Sequence, residues 1–223
     1  MNYTKSEVAR LIDISAVRTD SSLADVDCII DTAKKYNLIC VFAMPSFVDY
    51  VVDKMQGFDD IEIGGVVGFP SGAETLEAKL FQAGQMKSKG CTEVDMVMNI
   101  GYLKSAMNTE ILEEIKAIKA CVAPLPLKVI IEVALLTDEE VQRAAVLVRD
   151  AGADFVKTGT GWAGSTTLNH VKLIKDAVGD SIKLKVAGGV RDLDTLKAMC
   201  EMGVCRFGIG YKSVVDILES CDE

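Results

Sequence analysis

The stretch Lys128–Val129–Ile130–Ile131–Glu132 is followed by a helical pattern over Asp138–Ala151 and then by Asp154–Phe155–Val156–Lys157. A short β-branched run that is apolar on both faces reads as a strand buried on both sides, and a helical crossover to the next strand makes the pair parallel. The same alternation runs outward in both directions. Strands are expected at Leu11–Ile14, Ile39–Ala43, Ile61–Val67, Glu93–Asn99, Lys128–Val133, Asp154–Lys157, Lys183–Ala187 and Arg206–Ile209. Helices are expected at Leu23–Tyr36, Phe47–Met55, Ala73–Lys89, Thr109–Cys121, Asp138–Ala151, Thr167–Val178, Leu193–Met202 and Lys212–Leu218. Eight such units in 223 residues, with no Pro/Ser-rich linker between them, predict a single-domain α/β protein spanning residues 1–223, a (β/α)8 TIM barrel. A doubly wound dinucleotide-binding sheet is disfavoured, because no Gly-x-Gly-x-x-Gly opens a helix near the N-terminus.

Composition narrows the chemistry. The chain is 49% hydrophobic and 26% charged, with a net charge of −9. That balance fits a compact protein and opposes sequence-independent binding to nucleic acid or to an anionic membrane surface. No apolar run reaches the length of a membrane span, and Met1–Arg10 is followed by no signal-type apolar core, which points to the cytoplasm. Seven scattered cysteines without a Cys-x-x-Cys pair read as reduced and mostly buried thiols. The single histidine, His170, leaves neither a catalytic zinc site nor a Ser-His-Asp relay, and Thr166–Thr167–Leu168–Asn169–His170 reads as a capped helix start. No metal and no cofactor are expected, and a mechanism must rest on Lys, Asp and Glu.

Strand parity locates those groups. Residues two apart share a face, so the apolar set Val94, Met96 and Met98 meets the helices and Asp95 turns inward. By the same rule Lys157 follows Phe155 into the barrel, and Lys185 follows Lys183. Lys128, Ile130 and Glu132 form the inward row of the fifth strand. Buried charges are costly unless paired. An internal ion-pair network that merely fills the barrel would satisfy this pattern. So would a second use: an ammonium near a desolvated lysine lowers its pKa until it is a neutral amine able to attack a carbonyl, while Asp95 shuttles protons.

The turns after the last three strands are glycine-rich. Thr158–Gly159–Thr160–Gly161, Ala187–Gly188–Gly189–Val190–Arg191 and Phe207–Gly208–Ile209–Gly210–Tyr211 let backbone N–H groups approach an anion at a helix start. Thr158, Gly161, Gly188, Gly189, Gly208 and Gly210 are therefore candidate contacts for a phosphorylated aldehyde or sugar.

Val66–Val67–Gly68–Phe69–Pro70–Ser71–Gly72, Glu93–Val94–Asp95–Met96–Val97–Met98–Asn99, Leu135–Leu136–Thr137–Asp138–Glu139–Glu140 and Ala151–Gly152–Ala153–Asp154–Phe155–Val156–Lys157–Thr158 together resemble the deoxyribose-phosphate aldolase family of class I aldolases. The resemblance runs over nearly the whole chain. It implies that Lys157 is the Schiff-base lysine, Lys185 the second lysine and Asp95 the proton-relay carboxylate. Asp13 matches an acidic residue near the sugar, and a homodimer or homotetramer is implied. The family reaction is reversible cleavage of 2-deoxyribose 5-phosphate to acetaldehyde and glyceraldehyde 3-phosphate. Several positions depart from the family pattern: Ser15 within Ile14–Ser15–Ala16–Val17, Met44, Gly159, and Gly210–Tyr211 in place of a Ser-Ser pair, while Trp162 follows Gly161. These leave open the same lysine chemistry on another aldehyde, a phosphosugar isomerase and a non-catalytic phosphosugar-binding barrel.

Overall fold

A computed structural model describes residues 3–221. Its elements are α1 (Lys5–Ala9), β1 (Ile12–Ala16), α2 (Leu23–Tyr36), β2 (Cys40–Ala43), α3 (Val48–Lys54), β3 (Glu62–Val67), α4 (Leu76–Ser88), β4 (Glu93–Val97), α5 (Ile100–Lys104), α6 (Asn108–Val122), β5 (Leu127–Ile130), α7 (Asp138–Asp150), β6 (Phe155–Lys157), α8 (Leu168–Val178), β7 (Lys183–Ala187), α9 (Leu193–Glu201), β8 (Arg206–Gly210) and α10 (Tyr211–Glu219). The eight strands are parallel and close in chain order, with β8 paired back to β1. This is the expected (β/α)8 barrel.

Helix starts are written locally. Ser22, Thr75, Thr137, Thr167 and Asp192 each accept a backbone N–H at the first turn of α2, α4, α7, α8 and α9. His170 completes a capping box with Thr167, which gives it the helix-start role read from the sequence. The helices then seal the outer faces of the strands. Val94 and Met96 of β4, Val129 of β5, Val186 of β7 and Phe207 of β8 are buried in one continuous apolar layer with Ile115 and Ile118 of α6 and Val148 of α7. Among the described residues no helix is long and apolar enough to cross a membrane. Of the seven cysteines, Cys40, Cys91 and Cys221 are buried, three are half-buried and Cys28 is exposed, because most lie on helices or loop edges rather than in the barrel.

Among the expected boundaries that move, those around the site do so for local reasons. β5 stops at Ile130, because Glu132 adopts a left-handed backbone (φ 51) and opens a 3-10 turn over Val133–Leu135. Glu132 therefore leaves the inward row and turns toward the loop after β6. β4 stops at Val97, because the Asn99 side chain accepts the Tyr102 N–H and caps α5. The expected helix over Thr109–Cys121 is preceded by this extra short helix, with Ala106 in a left-handed turn between them.

The interior needs one glycine for steric reasons. A Cβ on Gly64 of β3 would lie 2.2 Å from the Phe42 ring of β2, which crosses the barrel there. The ring is buried and packs with Cys40 and Val66 as the only apolar cluster inside the barrel among the described residues. Gly64→Ala should cost about 1–3 kcal/mol through this overpacking, read as a drop in the urea midpoint at unchanged slope.

Candidate active site

Register brings the inward charges to one level. Asp95 pairs with Lys128, Lys157 with Lys185, and Lys185 with Arg206 across neighbouring strands, while Asp13 of β1 lies opposite Gly208 of β8. All of these charged side chains are buried. Asp95 is at the centre. Its Oδ2 accepts from Lys157 Nζ at 2.7 Å and from Lys185 Nζ at 2.6 Å, and its Oδ1 lies 3.4 Å from Lys128 Nζ. Lys185 also pairs with Asp13 at 2.5 Å. Arg206 donates to Asp13 at 2.8 Å and to both oxygens of Glu93 at 3.0 Å, and Glu93 in turn pairs with Lys128.

These contacts set the protonation states. Burial pushes the Lys157 amine down from 10.5; Asp95 pulls it up, Lys185 pushes it down again, and the net direction is downward. For Asp95 burial acts upward, but Lys157, Lys185 and Lys128 together outweigh it and hold the carboxyl well below the carboxylate range. For Lys128 burial acts downward and is outweighed by Asp95 and Glu93, which hold it charged. Asp13, Cys40 and Glu93 bring three donor atoms within 4.8 Å of one another. They suit a metal poorly: Arg206, Lys128 and Lys185 already neutralise both carboxylates, and burial raises the Cys40 thiol well above its ordinary value.

A cavity opens above this layer at the C-terminal ends of the strands, where (β/α)8 barrels hold their sites. Lys157, Lys185, Asp13, Phe42 and Ser15 line its floor, and Gly161, Gly188, Gly189, Gly208, Gly210, Arg191 and Ser213 line one side. Trp162 closes another side. Its indole N–H donates to the Val17 carbonyl at 3.2 Å, its ring meets Phe69 edge-on at 6.2 Å, and the Arg18 guanidinium lies 4.6 Å above it. Gly188 and Gly189 have φ of 87° and 92°, which a side chain would strain, and their backbone faces the cavity.

Most of the residues singled out from the sequence meet here. Of the expected catalytic and binding residues, two do not reach the cavity. Asp95 lies beneath the two lysines and touches the space only through them. Thr158 is fully buried: its hydroxyl accepts the Ala187 N–H at 3.0 Å and lies 2.7 Å from the Thr166 hydroxyl, so it braces β6 against β7 instead of contacting a ligand. Tyr211 and Met44 lie off the cavity wall. Sequence reading missed Arg206, Phe42, Arg18 and Ser213. Arg206 carried a signal, since it shares a face with Gly208 and Gly210 while Phe207 and Ile209 face the helices. Phe42 carried none, being one more apolar residue in an apolar strand.

A closed parallel barrel with paired lysines over a buried carboxylate is an arrangement able to do amine chemistry on a carbonyl compound. Residues 9–208 match the model of the DeoC/LacD family of aldolases, and the chain belongs to that family. It is 42% identical over 216 residues to the deoxyribose-phosphate aldolase of Sinorhizobium medicae, covering 96% of this chain and 87% of that one. It is 40% identical over 223 residues to the deoxyribose-phosphate aldolase of Staphylococcus saprophyticus, covering 100% and 98%. Among solved structures, the tetrameric deoxyribose phosphate aldolase of Aeropyrum pernix superposes with a TM-score of 0.85 at 25% identity, covering 97% of this chain and 92% of that one.

Asp95→Asn should cost about 3–5 kcal/mol at neutral pH, because it leaves three ammonium groups facing one another. The Asp95 contribution is complete above the unfolded carboxyl value of about 3.9 and is lost as pH falls toward its lower folded value. The gap between wild type and variant in urea titrations should therefore narrow below about pH 4.

Proposed function

We propose that the protein is a class I aldolase that cleaves 2-deoxyribose 5-phosphate reversibly to acetaldehyde and glyceraldehyde 3-phosphate through a Schiff base on Lys157. The observation that carries this reading is the position of Lys157: an amine at the cavity floor, pushed down by burial, with Lys185 and the shared Asp95 beside it. The relatives' named activity supplies the substrate.

In the proposed reaction the neutral Lys157 amine attacks the aldehyde carbon of the open-chain sugar, and the carbinolamine loses water to give an iminium. The iminium draws electrons from the C2–C3 bond, which breaks as the C3 hydroxyl gives up its proton. Glyceraldehyde 3-phosphate leaves, and an enamine of acetaldehyde remains on Lys157. Protonation of the enamine carbon and hydrolysis return acetaldehyde and the free amine. Lys185 is the proton carrier that faces the ligand, and Asp95 works through it, since Asp95 itself does not reach the cavity. Asp13 holds Lys185 from the other side and lies near the sugar. The phosphate lies against Gly188, Gly189 and Gly210, with Arg191 and the Ser213 hydroxyl beside them. Gly210 caps α10 without a side chain, so its first turn keeps N–H groups for the anion.

We assign the enzyme to the cytoplasm, where free thiols stay reduced. We assign it a homo-oligomeric state, dimer or tetramer, by analogy with the tetrameric Aeropyrum pernix enzyme. A second reading keeps the lysine chemistry with a different aldehyde. It is favoured by Trp162, which narrows the mouth together with Phe69 and Arg18, and product analysis over a panel of aldehydes separates the two.

Incubation with acetaldehyde followed by borohydride should leave a two-carbon adduct on Lys157, mapped by mass spectrometry and absent from Lys157→Ala. No adduct on the folded wild-type protein would overturn the Schiff-base reading. Ser213→Ala should raise KM for the phosphorylated sugar by about 2- to 12-fold, the equivalent of one lost hydrogen bond, read from initial rates.

A further inference from the structure

At and below the cavity floor the buried charges form a closed ring. In order, Asp95 pairs with Lys128, Lys128 with Glu93, Glu93 with Arg206, Arg206 with Asp13, Asp13 with Lys185, and Lys185 with Asp95. Three carboxylates alternate with three cations, and each member has two partners of opposite sign within the ring. Lys157 stands outside it. Among the described residues its one carboxylate partner is Asp95, which two ring cations already share.

We propose that Glu93, Lys128 and Arg206, which are not among the residues lining the cavity, are positioning residues that leave Lys157 uncompensated within the buried charged layer and so decide when it gives up its proton. The inference rests on the reading of Lys157 as the reacting amine and extends it to residues remote from the ligand. The ring is neutral with all six members charged. A proton on Lys157 therefore adds a fourth positive charge to a buried site with three negative ones. The direction of the shift at Lys157 agrees.

Among the described residues no further carboxylate pairs with Lys157, and Arg18 and Arg191 line the walls of the same cavity. Lys157 on β6 is faced by Asp95 from β4, Lys185 from β7 and Asp13 from β1, with Lys128 and Glu93 behind Asp95 and Arg206 beside Lys185. β2 presents Cys40 and the Phe42 ring, 5.7 Å from Lys157 Nζ. β3 presents Gly64 and Val66. Glu132, at the turn after β5, is engaged by the Thr160 N–H and hydroxyl.

A charge balance predicts opposite signs from two remote substitutions. Lys128→Met removes a positive charge, leaves the ring negative and should raise the Lys157 pKa by about one unit; Glu93→Gln should lower it by a similar amount. The double variant, neutral again, should return close to wild type. Competitive labelling with trace acetic anhydride, read on the Lys157 peptide by mass spectrometry across about pH 5 to 10, reports this pKa without any catalytic turnover. In parallel, the acid limb of kcat/KM should move to higher pH for Lys128→Met and to lower pH for Glu93→Gln. Loss of packing alone cannot move a pKa in opposite directions. Shifts of the same sign, or an unmoved Lys157 in variants that retain their circular dichroism spectrum, would overturn the proposal. If Lys128→Met does not fold, Glu93→Gln alone decides by the sign of its shift. An absent acetaldehyde adduct on wild type defeats the aldolase reading and leaves the labelling result standing, so the two failures are distinguishable.

Discussion

One carboxylate, Asp95, lies in contact with the amino groups of three lysines inside the barrel, and the site depends on that crowding. Ions removed from water cost several kcal/mol each unless their partners are well placed. Here the partners come from β1, β4, β5, β6, β7 and β8. No two or three strands alone could satisfy them. The charged layer is complete only when β8 closes on β1, so the assembly of the site and the closure of the barrel are one event. A one-residue slip in any of these strands would exchange a charged side chain for an apolar one in both the interior and the helix layer. The ion pairs therefore fix register more than they add net stability.

The same constraint explains which parts of the site could be read from the sequence. Parallel strands covered by helices are continuous apolar runs, and a charge inside such a run has no reason to be there on packing grounds. Asp95, Lys157 and Lys185 stand out for that reason, and the strands that carry them fall close to where the apolar pattern puts them. Arg206 was legible by the same rule, because Phe207 and Ile209 claim the helix side of β8. Glu93, two residues before Asp95 on the same face, was legible too. The pairing between them was not, because it depends on the order in which the barrel closes.

Where periodicity misled, the backbone departed from it at a single residue. Nothing in Ile130–Ile131–Glu132–Val133 announces a strand end, since the apolar pattern continues while Glu132 takes a left-handed conformation that a glycine would have advertised. Thr158 misled in another way. Its place after Lys157 suggests a ligand contact, yet a hydroxyl on a fully buried strand end finds its partners in the neighbouring strand. Phe42 and Gly64 were silent because each is ordinary alone and meaningful only as a pair across two strands.

The distribution of charge completes the physical picture. The chain as a whole is acidic, at −9, and its outer surface repels polyanions. The cavity has a different character. Lys157 and Lys185 line its floor and Arg18 and Arg191 its walls, while the carboxylate of Asp95 is withdrawn beneath the lysines and that of Asp13 is engaged by Lys185 and Arg206. A small anion able to enter the cavity meets a local positive field beside the backbone of Gly188, Gly189 and Gly210. A long polyanion meets the acidic exterior first. A preference for a small anion over a long polyanion thus follows from where the carboxylates are placed: exposed on the outside, and paired with lysine or arginine within.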